Sequence, residues 1–143
     1  MRDRDALCAP EALVLTMVLV SAADGGMTDR EIGIMSGLVQ TLPVFQDFTS
    51  ERLADVTDRA VRLLHDDDGL AHAGRLIRSA LTNKLRETAY ALACEVVAGG
   101  EGLRRESLDM LDYVREELGL DPLISAAIER GVRARYQRVD PGA

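Results

Sequence analysis

Asp24 and Glu31 are the carboxylates whose placement in this chain most invites chemistry. They flank the turn Gly25-Gly26 within Ala22-Ala23-Asp24-Gly25-Gly26-Met27-Thr28-Asp29-Arg30-Glu31. An apolar stretch closes at Asp24 and an amphipathic one opens near Thr28, so a tight turn would carry both side chains toward one hollow. Hard cations such as Ca²⁺ and Mg²⁺ take oxygen ligands, and the carbonyls of Gly25 to Met27 would add to the set. Two carboxylates without a dedicated cage predict weak binding, with a Kd on the order of 10⁻⁴–10⁻³ M. The spacing is not that of an EF-hand. A structural reading competes: Glu31 follows Thr28 by three residues, which is the pattern of a capping box. Acids at a helix start also favour the macrodipole.

Three further groups invite the same comparison. His65, Asp66, Asp67, Asp68 and His72 are the one His/Asp cluster, able in principle to offer zinc two imidazoles and a carboxylate. Read structurally, it is a solvated acidic turn whose Asp67 or Asp68 caps the next helix. Glu95 lies among apolar neighbours, and a buried carboxylate must be paired, hydrogen-bonded or protonated. It reads either as an inner acid near Gly99–Gly102 or as the partner of an arginine, such as Arg86 or one from the last helix. Cys94 beside it reads as a small core residue, since a reactive thiol needs exposure and a cationic setting. No G-x-S-x-G, phosphate loop, dinucleotide fingerprint or His beside a nucleophile is present, so the sequence displays no catalytic set.

The elements that must position these groups are helices. The chain has 143 residues, 47% apolar and 29% charged, with 3% aromatics and no Trp. One domain with a Leu, Val, Ala, Ile and Met core follows, a mixture that suits helices better than sheets. Pro10 opens a first helix that runs to about Ala23 and is apolar nearly all round, so it is expected to lie centrally. A second helix starts at Thr28, carries Ile32, Met35, Leu38, Val39 and Leu42 inward, and stops at Pro43. Phe45 and Phe48 plug the core from the connector. A third helix begins near Thr49 or Ser50 with Leu53, Val56, Ala60, Leu63 and Leu64. A fourth carries Leu70, Ala73, Leu76, Ile77 and Leu81. Asn83 is the expected cap of a fifth, where residues 88–98 repeat the all-apolar character of the first. A sixth carries Leu108, Leu111, Val114 and Leu118, and a seventh, after Asp121-Pro122, carries Leu123, Ala126, Ala127, Ile128 and Val132. The fold class is all-α: a compact bundle of about seven helices.

The bundle also repeats itself. With Asp24 aligned on Gly100 and Glu31 on Ser107, Met27 meets Leu103, Ile32 meets Leu108, Met35 meets Leu111, Leu38 meets Val114 and Leu42 meets Leu118. Two copies of one helix-turn-helix unit are expected. Arg104 stands where the first copy has Thr28, so the second copy lacks cap and acid together.

The stretches Met17 to Glu31, Thr41 to Phe48, Leu85 to Glu95 and Ala126 to Gly131 carry a resemblance. On them the chain resembles the bacterial tellurite-resistance TerB-like family over about residues 10 to 137. The resemblance implies a compact helical domain with a pseudo-twofold internal repeat, and a link to tellurite and other stress responses. It implies an acidic surface that holds a divalent cation, and no enzymatic reaction. The acidic turn of the family reads Ala-Asp-Gly with a Glu seven residues after the Asp, matched by Ala23, Asp24, Gly25 and Glu31. In the second copy Gly100 and Ser107 break that pattern, with Glu101 and Glu106 one residue away as stand-ins. The metal set implied is Asp24, Glu31 and Glu101.

The expected division is a flexible segment over 1–9, the helical domain over 10–137 and a flexible tail over 138–143. A net charge of −7 argues against nucleic acid as partner, because phosphate binding needs a basic face. No transmembrane or export segment is expected, and a cytoplasmic location with two free thiols follows. Arg130, Arg133, Arg135 and Arg138 make the last helix basic, fitting an acidic partner, peripheral contact with an anionic membrane, or simply the dipole at a helix end. The function expected is non-enzymatic and of the stress or tellurite-resistance type, with a weakly held Ca²⁺ or Mg²⁺ at the acidic turn. The alternative is a protein-interaction module, its partner another protein or a second copy in a homodimer, with the acids serving only as caps.

Overall fold

A computed structural model describes residues 6–23, 25–100 and 104–140. Seven α-helices follow one another: α1 (Ala9–Ser21), α2 (Asp29–Thr41), α3 (Ser50–His65), α4 (Gly69–Ala80), α5 (Asn83–Gly99), α6 (Arg105–Leu118) and α7 (Pro122–Arg135). A 3₁₀ turn, Pro43–Phe45, links α2 to α3, and the described residues contain no strand.

The two apolar runs form the axis of the bundle. Every residue of α1 from Ala12 to Ser21 is buried, and α5 buries Ala89, Tyr90 and Leu92 to Val97. Their mutual interface is the most extensive in the molecule. Around this pair, α1 takes α3, α4 and α6, while α5 takes α7, α2 and α6. A helix that is apolar all round has no solvent face to lose, so it must sit inside such a ring. The polar residues of α1 are satisfied locally. Thr16 Oγ1 donates to the Ala12 carbonyl at 2.8 Å, and Ser21 Oγ donates to Met35 Sδ at 3.8 Å.

Caps and turns fix the outer helices. Thr49 accepts from the Arg52 amide at 3.1 Å to start α3, and Asp121 accepts from the Leu123 amide at 2.8 Å to start α7. The cap of α5 is Thr82, which accepts from the Leu85 amide at 3.3 Å, so Asn83 is the first helical residue and not the expected cap. Asp68 precedes α4 without a side-chain capping bond. The α3–α4 turn is instead set by close approach: a Cβ on Gly69 would overlap the Leu63 carbonyl oxygen. Phe45 and Phe48 are both buried, edge to face with centroids 5.7 Å apart, and plug the core as expected.

Four apolar residues expected to face inward do not. Ile32 is 46% exposed, Leu70 38%, Leu108 42% and Leu123 80%. Ala126 and Ala127 are exposed too, and α7 buries only Ser125 and Val132. The reason is coverage: α7 makes its substantial contact with α5 alone, so one narrow stripe meets the core. Among the described residues no helix is long and apolar enough to cross a membrane.

Candidate functional site

Of the expected metal set, Asp24 and Glu101 lie outside the described residues. Glu31 is described and 6% exposed. Its Oε1 accepts from the Thr28 amide at 3.0 Å and from the Thr28 hydroxyl at 3.1 Å, while its own amide donates to Thr28 Oγ1 at 3.2 Å. This is a complete capping box, satisfying two helix-start donors reciprocally. The other oxygen, Oε2, turns toward Gly100 at the end of α5. It lies 3.4 Å from where a Cβ on Gly100 would sit, and Glu31 Cγ would lie 2.9 Å from that Cβ. The end of α5 therefore lies against the start of α2, and Glu31 fills the space that a side chain at residue 100 would need.

The His/Asp cluster does not converge. His65 lines a hollow beside the α1–α2 turn, whereas His72 lines a smaller cavity with Leu7, Val56 and Leu76. Among the described residues no group of three or more His, Cys, Asp or Glu side chains is arranged to hold a metal.

A different site is built where α5, α6 and α7 meet. Because α7 rests on α5 and hardly on α6, a cleft of about 510 Å³ stays open between the two outer helices. Tyr90, Cys94 and Val97 of α5 form its floor. Leu108, Leu111 and Arg115 of α6 face Glu129, Val132 and Arg133 of α7, and Tyr136 closes the end. The 3.6-residue period of α5 points Tyr90, Cys94 and Val97 to one side.

Most polar groups here hold helices together. Tyr90 Oη donates to Glu129 Oε2 at 2.6 Å, pinning α7 to α5. Arg115 stands 3.7 Å from that same oxygen and 3.0 Å from Asp112 Oδ1. At the far end of α7, Glu95 Oε1 accepts from Arg135 Nε at 3.0 Å, Arg135 Nη2 at 2.8 Å and Tyr136 Oη at 2.9 Å. Glu95 thus has the arginine partner its burial demands, and the partner comes from α7. Arg86 instead donates to the carbonyls of Leu81 and Arg78.

The ionisable groups on the floor are held neutral. Burial pushes the Cys94 thiol up to about 12, reinforced by the negative charges of Glu129 and Glu95 against the opposing hydrogen bond with Tyr90. Burial, then the hydrogen bond to Glu129, raises Tyr90 well above the usual phenol range. A protonated thiol is a poor nucleophile. With Cys8 exposed and Cys94 buried, a maleimide at neutral pH is expected to label Cys8 alone, and Cys94 only after denaturation. Mass spectrometry showing two adducts on the native protein would contradict this geometry.

The cleft as a site was missed by sequence reasoning, although one signal was present: a phenol inside a buried helix must find a hydrogen-bond partner. Compared with known family models, curated proteins and solved structures, the chain matches none.

Proposed function

We propose that this protein is a non-enzymatic, TerB-like helical module of the stress or tellurite-resistance type, acting by binding through the α5/α6/α7 cleft. The observation that carries the reading is the division of labour in that cleft. Its Tyr90, Glu129 and Tyr136 are consumed in bonds between elements and its thiol is kept protonated, while Val97, Leu108, Leu111 and Val132 offer apolar surface. Apolar walls with a few oriented polar groups describe a binding hollow. In this reading the duplicated helix-turn-helix unit supplies the scaffold, and the acidic turn is a cap.

The cap makes a direct prediction. Thr28→Ala is expected to cost about 1 kcal/mol of stability, equally in EDTA and in millimolar Ca²⁺ or Mg²⁺. Urea titrations under both conditions measure it. Binding at the cleft is tested by capturing partners from stressed cells in EDTA: capture retained by the wild type and lost in Leu108→Asp is the expected result. Capture that persists in Leu108→Asp would remove the cleft from the reading.

One observation favours a second reading, a divalent-cation site between the two turns. Glu31 Oε2 takes no part in the cap and lies 3.4 Å from where a Cβ on Gly100 would sit. Calorimetry with Ca²⁺ or Mg²⁺ at millimolar concentration tests it, with Asp24→Ala combined with Glu31→Gln as control. Heat from the wild type that the double variant lacks would establish the metal.

A further inference from the structure

The charges along the α5/α6/α7 cleft are not all answered. Asp112 and Arg115 of α6 and Glu129 and Arg133 of α7 line it. The first three close on one another. Arg115 Nη2 meets Asp112 Oδ1 at 3.0 Å, and its Nη1 lies 3.7 Å from Glu129 Oε2, which also accepts from Tyr90 Oη at 2.6 Å. Arg133 is left over: among the described residues its guanidinium has no ion-pair or hydrogen-bond partner. Arg135, two residues on, is already held by Glu95. The floor beneath adds no charge of its own, because the Cys94 thiol and the Tyr90 phenol stay protonated. The cleft therefore presents one unanswered cation beside an uncharged apolar surface.

Shape narrows the guest further. The short turn at Gly119 folds α7 back along α6, so Arg115 meets Glu129 near that turn while Leu108 and Tyr136 lie toward the far end. Leu108 and Arg115 are seven residues apart, about 10 Å along the helix axis. With C–C bonds of about 1.5 Å, a zigzag tail of roughly eight carbons spans that length. The cleft volume of about 510 Å³ falls among those of small-molecule sites. A single guanidinium presents a planar fork of donors, which matches one carboxylate.

We infer that the cleft holds a medium-chain fatty acid, its tail along Val97, Leu108 and Leu111 and its carboxylate on Arg133. This rests on the binding reading given above and names the ligand class for that same site. The tail supplies most of the affinity, and the exposed arginine selects the head. A Kd on the order of 10⁻⁴ M is expected for octanoate. Each methylene added within the slot tightens binding about two- to fourfold, and the gain stops once the tail outgrows it.

Titration with sodium octanoate, followed by amide shifts in the NMR spectrum, reads site and affinity together. Shifts are expected around Val97, Leu108, Leu111 and Arg133, with octan-1-ol at least about fivefold weaker and octylammonium weaker still. Arg133 is exposed, so its variants test the head without disturbing the core, and circular dichroism confirms their fold. Arg133→Gln is expected to bring octanoate down to the level of the alcohol, and Arg133→Glu to favour octylammonium instead. Leu123→Ala, on the outer face of α7, binds octanoate like the wild type. The inference is overturned if octanoate binds no tighter than octan-1-ol, is indifferent to Arg133→Glu, or shifts residues away from the cleft. Absence of binding at roughly 10 mM octanoate also overturns it. Where partner capture is still lost in Leu108→Asp, such a failure strikes the ligand class and leaves the cleft standing. Where capture also persists in that variant, the cleft reading falls with it.

Discussion

Between about pH 9 and pH 11 the folded protein is expected to lose roughly 2 kcal/mol of stability through Cys94, with Tyr90 adding to the loss above about pH 10. Both groups are neutral when protonated, and burial raises both above their ordinary values. In the unfolded chain the thiol gives up its proton near its normal value, while the folded protein keeps it until about 12. Over that window the unfolded state binds fewer protons than the native one, so stability must fall as pH rises. It is fully present below the unfolded thiol value. Cys94→Ala is expected to begin less stable at neutral pH, since a small cavity opens beneath Tyr90, yet to show a much flatter alkaline profile. Urea unfolding of both proteins in reductant across the pH series gives the two curves. Parallel curves would mean that the cleft floor admits water and that its thiol is not held protonated. The outcome bears on function, because a floor that stays uncharged suits an apolar guest and not a nucleophilic mechanism.

The helical framework was legible because its signals are local. Thr28 and Glu31 sit in one turn, Pro122 follows its capping Asp121, and the apolar runs of α1 and α5 have no polar face to expose. What periodicity does not carry is how wide a stripe the neighbours will cover. Leu123, Ala126 and Ala127 share a pattern with Val132, but α7 packs on a single helix and only its Ser125–Val132 edge is buried. Ile32, Leu70 and Leu108 escape burial at comparable margins of the bundle. The cleft was hidden for a related reason. Tyr90 and Glu129 are separated by 39 residues, and Glu95 and Arg135 by 40. Sequence states that Glu95 needs a cation; only the docking of α7 on α5 selects Arg135 over Arg86.

Gly100→Asp is expected to cost about 2–4 kcal/mol, although it would give the second turn the acid that the first has at Asp24. The backbone at Gly100 has φ −84° and ψ −128°, and a side chain there is obstructed by contact. A Cβ there meets Glu31 Cγ and the Val96 carbonyl oxygen, each at 2.9 Å. Gly100→Ala isolates that steric part, about 1–3 kcal/mol in a packed setting. The aspartate adds a second carboxylate beside Glu31 Oε2, and like charges at such range oppose one another. In a double-mutant cycle, Glu31→Ala is expected to recover part of the penalty at residue 100 and to leave the part owed to Val96. The same variant separates the two functional readings. If the turns form a cation site, Gly100→Asp supplies a further oxygen ligand, and millimolar Ca²⁺ returns a kilocalorie or more by binding the folded state. If Glu31 is a cap and nothing else, Ca²⁺ returns nothing and the carboxylate pair stays a defect. The capping box and the close seat of Gly100 predict the second result, and a chemical denaturation series with and without Ca²⁺ decides between them.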